Sequence, residues 1–82
     1  MIGVLMSFPR HPDTGLFEKF VRETPGVVSA YQLKGDGPDD ATFTVWESAA
    51  AREAYLQSQL RKEIDSALPG LKRTVFEVMK SK

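Results

Sequence analysis

The stretch "ATFTVWESAAAREAYLQS", residues 41–58, decides the fold because it passes directly from a strand pattern into a helix pattern. Apolar and polar side chains alternate through ATFTVW, as they do along a half-buried strand. Ser48 then offers a helix cap ahead of alanine-rich sequence. Trp46, the only tryptophan, stands at the junction. The stretch therefore predicts a strand that leads straight into a helix.

The sequence on both sides extends this unit. Leucine and isoleucine recur every four residues from Leu56 to Leu68, which continues the helix, and residues 71–79 then predict a strand. Upstream, the patterns predict a strand at 2–8, a helix that begins at 16, and a second strand at 27–33. The turn residues at 35–40 close that strand into a hairpin with residues 41–46.

Two chain reversals share one sequence pattern. The helices end on Pro25-Gly26-Val27 and on Pro69-Gly70-Leu71. Asp13 or Thr14 is expected to cap the first helix. The order strand, helix, strand, strand, helix, strand predicts an α+β fold of the ferredoxin-like βαββαβ type. We expect residues 1–82 to form a single domain, a four-stranded antiparallel sheet with two helices on one face.

Composition narrows the range of functions. Eleven basic and eleven acidic residues give a formal net charge of zero, unlike a typical nucleic-acid binder. The chain has no cysteine and one histidine, so neither a disulfide framework nor a metal site is expected. No apolar run is long enough to span a membrane, and the first residues lack the pattern of a signal peptide. We expect a cytoplasmic protein that binds no nucleic acid and no membrane.

The sheet face away from the helices is expected to be partly apolar. If Phe43 and Val45 pack on the helices, the opposite face carries Trp46 together with Leu5 and Phe76, mixed with threonine and serine. Such a mixed face is typical of an interaction surface. Because a domain of this size buries a small core, we expect a homodimer whose sheets pack face to face.

The motif Trp-Glu-Ser at 46–48, followed by the helix that carries Tyr55 and Ser58, resembles the antibiotic biosynthesis monooxygenase superfamily. The resemblance implies a dimeric α/β barrel and, in part of the family, cofactor-free oxygenation of aromatic polyketides. The heme-degrading branch of the family has a tryptophan where this chain has Tyr55 and an axial histidine where it has Asp65. Its catalytic asparagine would fall near Ser7 or Phe8. None of these positions matches, so heme degradation is not expected.

The candidate site follows from the residue types that cofactor-free oxygenation needs. His11 is the one side chain that ordinarily titrates near neutral pH, and it is the candidate catalytic base. The candidate substrate-binding residues are aromatic or hydroxyl-bearing: Tyr31, Thr44, Trp46, Tyr55 and Phe76. The charged residues of the second helix, from Arg52 to Asp65, are expected to form its solvated face.

Two functions remain open from the sequence. The first is a cofactor-independent monooxygenase that acts on a small aromatic or apolar molecule without a bound cofactor. The alternative is a non-catalytic small-molecule-binding module of the same fold, since few residues can carry out acid-base chemistry. Fold alone does not separate them, because one fold hosts many functions.

Overall fold

The computed structural model describes residues 1–12 and 14–80. Four strands and three helices follow one another along the chain: β1 (Ile2–Pro9), α1 (Leu16–Glu23), β2 (Val27–Leu33), β3 (Asp39–Trp46), α2 (Ala49–Leu56), α3 (Gln59–Ala67) and β4 (Lys72–Glu77). Gly15 occupies the N-cap position of α1, while the expected cap Asp13 lies outside the described residues.

The strands form one antiparallel sheet in the order β2-β3-β1-β4. The first strand is therefore central, between β3 and β4, and the hairpin expected from the turn at 35–40 joins β2 to β3. The predicted ferredoxin-like α+β fold, with the helices on one face of the sheet, is confirmed. The core between sheet and helices consists of Val4, Phe20, Trp46, Tyr55, Ile64 and Leu68.

The expected long second helix is divided into two shorter ones. The α2 helix ends at Leu56, and the Ser58 hydroxyl donates a hydrogen bond of 2.6 Å to the carbonyl of Tyr55. The same Ser58 oxygen accepts from the backbone N–H of Arg61 and caps α3. In the last turn of α2, Tyr55 is buried while Leu56 is only partly buried, and in α3 the buried residue is Ile64.

The expected assignment of sheet faces is wrong for β3. Trp46, Thr42 and Thr44 face the helices and are buried, whereas Phe43 and Val45 lie on the opposite face. The alternation was correct, but the pattern alone does not say which set points inward. The bulk of the indole fills the core under α1 and α2.

The face away from the helices, called here the outer face, carries Leu5, Tyr31, Phe43, Val45 and Phe76. These residues share a face because Leu5 pairs with Phe43, Phe43 with Tyr31, and Gly3 with both Val45 and Phe76. Tyr31 and Phe76 are about half exposed. The predicted partly apolar face therefore exists with Leu5 and Phe76 on it, but without Trp46.

The repeated Pro-Gly pattern marks two similar turns. Gly26 and Gly70 have φ angles of 91° and 81°, in the region that glycine tolerates best. Each glycine reverses the chain between a helix and the strand that follows it. No described helix is both long enough and apolar enough to cross a membrane.

Candidate functional site

A cavity of about 490 Å³ lies between the sheet and the helices. Its sheet wall includes Val4, Met6, Thr42 and Thr44, and α1 contributes Phe17 and Phe20. Its volume falls in the range of small-molecule pockets, and apolar side chains predominate in its lining. The cavity is the candidate functional site because it brings together most of the residues that the sequence proposed.

Three aromatic rings pack together beside the cavity. The ring centroids of Trp46 and Tyr55 are 5.3 Å apart, and Phe20 meets both rings edge to face at 5.8 and 5.3 Å. Such arrangements add stability beyond the area that the rings bury. The cluster fixes the orientation of the cavity wall, so a planar ligand would meet a rigid aromatic surface.

Trp46 and Thr44 form a hydrogen-bonded pair within this wall. The indole Nε1 donates to the Thr44 hydroxyl oxygen at 3.0 Å, and only 2% of Trp46 is exposed. The bond satisfies the buried indole N–H. Thr44 keeps its own hydroxyl proton, which can be donated to a ligand oxygen. Trp46 is thus first a packing residue and second a cavity wall.

Tyr55 is a buried phenol at one side of the cavity. Burial raises the pKa of its hydroxyl above the ordinary value of a tyrosine, while the positive charge of Arg73 acts in the opposite direction. Because the neutral form is favoured, Tyr55 remains a hydrogen-bond donor at neutral pH. It does not serve as a proton acceptor there.

His11 lies in the loop after β1 and lines the cavity. Its Nδ1 is 2.7 Å from the carbonyl oxygen of Pro12. A carbonyl can only accept, so Nδ1 carries the proton and Nε2 of the neutral ring keeps a lone pair. The ring also packs against Phe8, at a centroid distance of 5.5 Å. This geometry leaves Nε2 as the proton acceptor that a catalytic base requires.

The loop between β2 and β3 is held against the cavity by Arg10. Its guanidinium donates to Asp40 Oδ1 at 2.9 and 3.0 Å and to the carbonyls of Gly35 and Gly37. Asp40 also accepts from the Gly35 N–H at 3.1 Å. The bond from Arg10, followed by the one from Gly35, lowers the pKa of Asp40 below its usual range. Asp40 is therefore ionised at neutral pH and forms an ion pair with Arg10.

The structure brings four of the six proposed site residues together. His11, Thr44, Trp46 and Tyr55 line the cavity, whereas Tyr31 and Phe76 do not. Because β2 and β4 place them on the outer face, Tyr31 and Phe76 are separated from the cavity by the sheet. The four lining residues remain the candidate site.

Two arginines of the cavity were not singled out from the sequence. Arg52 was expected on the solvated face of the second helix, but it lines the cavity together with Arg73 of β4. The spacing of Arg52 and Tyr55, three residues apart on one helix, places both on the same face and could have signalled this. Arg73 could be placed only with the register of β4, where it pairs with Met6.

Within residues 1–12 and 14–80, no three histidine, aspartate or glutamate side chains come together in a way that could hold a metal ion. The cavity offers instead aromatic faces, hydroxyls and guanidinium groups.

No family model matches the sequence, and no curated protein matches it. Solved structures do match over nearly the whole chain. A candidate antibiotic biosynthesis monooxygenase from Deinococcus radiodurans is 13% identical, with a TM-score of 0.78, and the match covers 100% of this chain and 96% of that one. The chain has the fold of the antibiotic biosynthesis monooxygenases.

Two further structures of this fold belong to proteins with a stated activity. SnoaB, a cofactor-independent oxygenase from Streptomyces nogalater, is 20% identical with a TM-score of 0.73, covering 98% of this chain and 94% of that one. The monooxygenase ActVA-Orf6 from Streptomyces coelicolor, solved with nanaomycin D, is 21% identical with a TM-score of 0.66, covering 99% and 89%. At these identities the likeness establishes the fold, and the resemblance seen in the sequence is confirmed at that level.

Proposed function

We propose that this protein is a cofactor-independent monooxygenase that oxidises a small aromatic molecule in the cavity between sheet and helices. One observation carries the proposal: an aromatic-walled cavity is lined by a histidine whose Nδ1–H is bound to a carbonyl, so that Nε2 can accept a proton. The fold that the chain shares with SnoaB and ActVA-Orf6 supports the same function.

Cofactor-free oxygenation requires few catalytic groups from the protein. His11 accepts a proton from an acidic ring CH₂ group, and the resulting anion passes an electron to dioxygen. The two radicals combine at that carbon to form a peroxide anion, His11 returns the proton to it, and loss of water leaves a carbonyl. The CH₂ group and O₂ thus become C=O and H₂O, so the substrate supplies all the electrons. Phe20, Trp46 and Tyr55 would orient the ring and exclude water.

Anthrone, whose ring CH₂ becomes the second carbonyl of anthraquinone, is a direct test. We expect purified protein to consume one O₂ per anthraquinone and anthrone to quench the fluorescence of Trp46, the only tryptophan. His11→Gln should lower kcat by about 100-fold, the usual scale of acid-base catalysis, with its unfolding midpoint unchanged. Arg22→Gln, on the exposed side of α1, is the matched control.

The same experiment can contradict the enzyme proposal. Saturable quenching without oxygen consumption above the rate without protein would favour the non-catalytic binding module. Oxygen consumption that His11→Gln leaves unchanged would remove His11 as the base.

The proposal includes a homodimer formed through the outer face, in the cytoplasm. Phe43 and Val45 are partly buried on this face, and Tyr31 and Phe76 remain about half exposed. Gly3 is the close neighbour of Phe43: a Cβ there would lie 3.0 Å from the Phe43 ring. The Phe43 ring therefore packs against Gly3 of β1, and the apolar side chains of the outer face form a surface suited to a second copy.

We expect Phe76→Asp to weaken this dimer by about 30-fold or more, because it places a charge inside an apolar interface. Val75→Asp is the matched control. Val75 is similarly exposed, at 50% against 48%, but it pairs with Val4 and belongs to the helix side of the sheet. Sedimentation velocity over a concentration series measures the dimer dissociation constants of the two variants. Equal dissociation constants for the two variants would place the interface elsewhere.

A further inference from the structure

Basic residues outnumber acidic residues in the lining of the cavity. Among the described lining residues, four are basic, Arg10, Lys34, Arg52 and Arg73, and only Asp40 is acidic. The chain as a whole has a formal net charge of zero. The excess of positive charge is therefore local to the cavity, and a ligand in it would experience a positive potential.

Three of the basic groups near the cavity already have acidic partners. Arg10 is paired with Asp40 at 2.9 Å. Arg73 and Arg61 share Asp65, at 2.6 and 2.8 Å. One carboxylate thus serves two guanidinium groups, which leaves positive charge at the end of the cavity formed by α3 and β4.

Arg52 lies near Arg61 and Arg73 and differs from these two arginines in its ion pairing. No carboxylate of the described residues lies within ion-pair distance of its guanidinium, although the side chain is partly buried. Burial lowers the pKa of Arg52 from its ordinary value, and the charge of Arg73 acts in the same direction, while Glu53 acts against both. Arg52 also lies in the first turn of α2, where the helix dipole disfavours a cation.

The neighbours of Arg52 include an uncharged donor. Tyr55, one turn further along α2, lines the same cavity and keeps its proton because it is buried. A guanidinium and a phenol are both donors, and together they suit an oxygen atom that carries negative charge. On the sheet side, the apolar residues Val4 and Met6 line the cavity and would contact the ring of such a ligand.

We propose that the cavity binds an aromatic oxyanion, with the negatively charged oxygen of the ligand paired to Arg52. This inference deepens the proposed function, since it names the class of molecule that the same site would take. The charged group is either a carboxylate on the ring or an ionised ring hydroxyl. In both cases Arg52 acts as a binding residue that selects charge, and the aromatic wall selects shape.

Calorimetric titration with ligands of matched shape tests the proposal. The probes are 2-naphthoate, its neutral isostere 2-naphthamide, and 2-naphthol below and above its own ionisation. We expect the wild-type protein to bind 2-naphthoate at least about 10-fold more tightly than 2-naphthamide, as for a hydrogen bond to a charged group. Arg52→Gln should abolish this preference and leave the affinity for 2-naphthamide within about twofold. Arg52→Lys should restore part of it.

Arg22→Gln controls for the loss of one positive charge anywhere on the protein, because Arg22 is exposed on α1 and does not line the cavity. It should leave both affinities unchanged. Tighter binding of 2-naphthol after ionisation, lost in Arg52→Gln, would identify the ring oxygen as the paired group. A preference confined to 2-naphthoate would identify a carboxylate substituent.

The possible results distinguish failure of the oxyanion site from failure of the proposed monooxygenase function. Equal binding of 2-naphthoate and 2-naphthamide, or a preference that survives in Arg52→Gln, would overturn the oxyanion site and leave the aromatic-binding cavity intact. If Arg52→Gln lowers the affinities for 2-naphthoate and 2-naphthamide equally, the Arg52 side chain acts by packing. This result would also overturn its role in selecting charge. Failure of all three probes to bind would overturn the cavity as an aromatic site, and with it the proposed function.

Discussion

Trp46→Ala is expected to destabilise the domain by about 3–5 kcal/mol, the range for removing a buried aromatic side chain. Trp46 is 2% exposed and contacts both other rings of the aromatic cluster. The substitution removes those contacts and leaves the Thr44 hydroxyl without its donor. Domains of this size have about 4–12 kcal/mol in total, so the variant should lose a large part of its stability and unfold at a much lower urea concentration than the wild type. Urea unfolding followed by circular dichroism at fixed protein concentration measures the loss.

Two companion variants make the result for Trp46 interpretable. Trp46→Phe keeps a ring in the core, so it should fold and lose about 1–2 kcal/mol with the hydrogen bond and part of the contact area. Val28→Ala, a substitution of a residue that is 58% exposed, should change stability by less than about 1 kcal/mol. A Trp46→Ala protein as stable as Val28→Ala would show that the cluster does not anchor the core.

Gly26→Ala is expected to cost about 2–4 kcal/mol, from two causes that act together. The φ angle of 91° lies in the region that side chains disfavour, at a cost of about 1–2 kcal/mol. A Cβ at this position would also lie 2.5 Å from the Cβ of Ala51 in α2. That atom sits on the helix itself, so relief requires the helix to move, which adds about 1–2 kcal/mol. Thermal unfolding should show a midpoint lowered by about 8 °C or more.

Two other glycines separate the causes. Gly15 has a φ angle of 76°, and a Cβ added there would meet no atom within 4 Å, so Gly15→Ala should show the cost of the backbone angle alone. Gly37 is equally open around its Cα and has no positive φ, so Gly37→Ala should be nearly neutral. Equal effects of Gly26→Ala and Gly15→Ala would mean that the approach to Ala51 contributes nothing.

Part of the candidate site could be predicted from the sequence. His11, Trp46 and Tyr55 could be proposed because their side-chain chemistry is rare in this chain and fits the resemblance. Arg52 could not be separated from its charged neighbours on α2, since helical periodicity gives relative directions but not which neighbour covers a given side. Tyr31 and Phe76 were proposed from residue type and lie on the other side of the sheet.

Local chemistry in the sequence determined the order of the elements and therefore the fold. The two Pro-Gly reversals, the hairpin turn at 35–40 and the cap at Ser48 act over a few residues, so neighbouring residues suffice to predict them. Tertiary structure alone decided the direction of each face. The strand register turned Trp46 inward and Phe43 outward, and the packing of α2 against the sheet placed Tyr55 in the core beside Trp46. These choices depend on which segments pack together, and a side-chain period of two leaves both orientations equally consistent with the alternation.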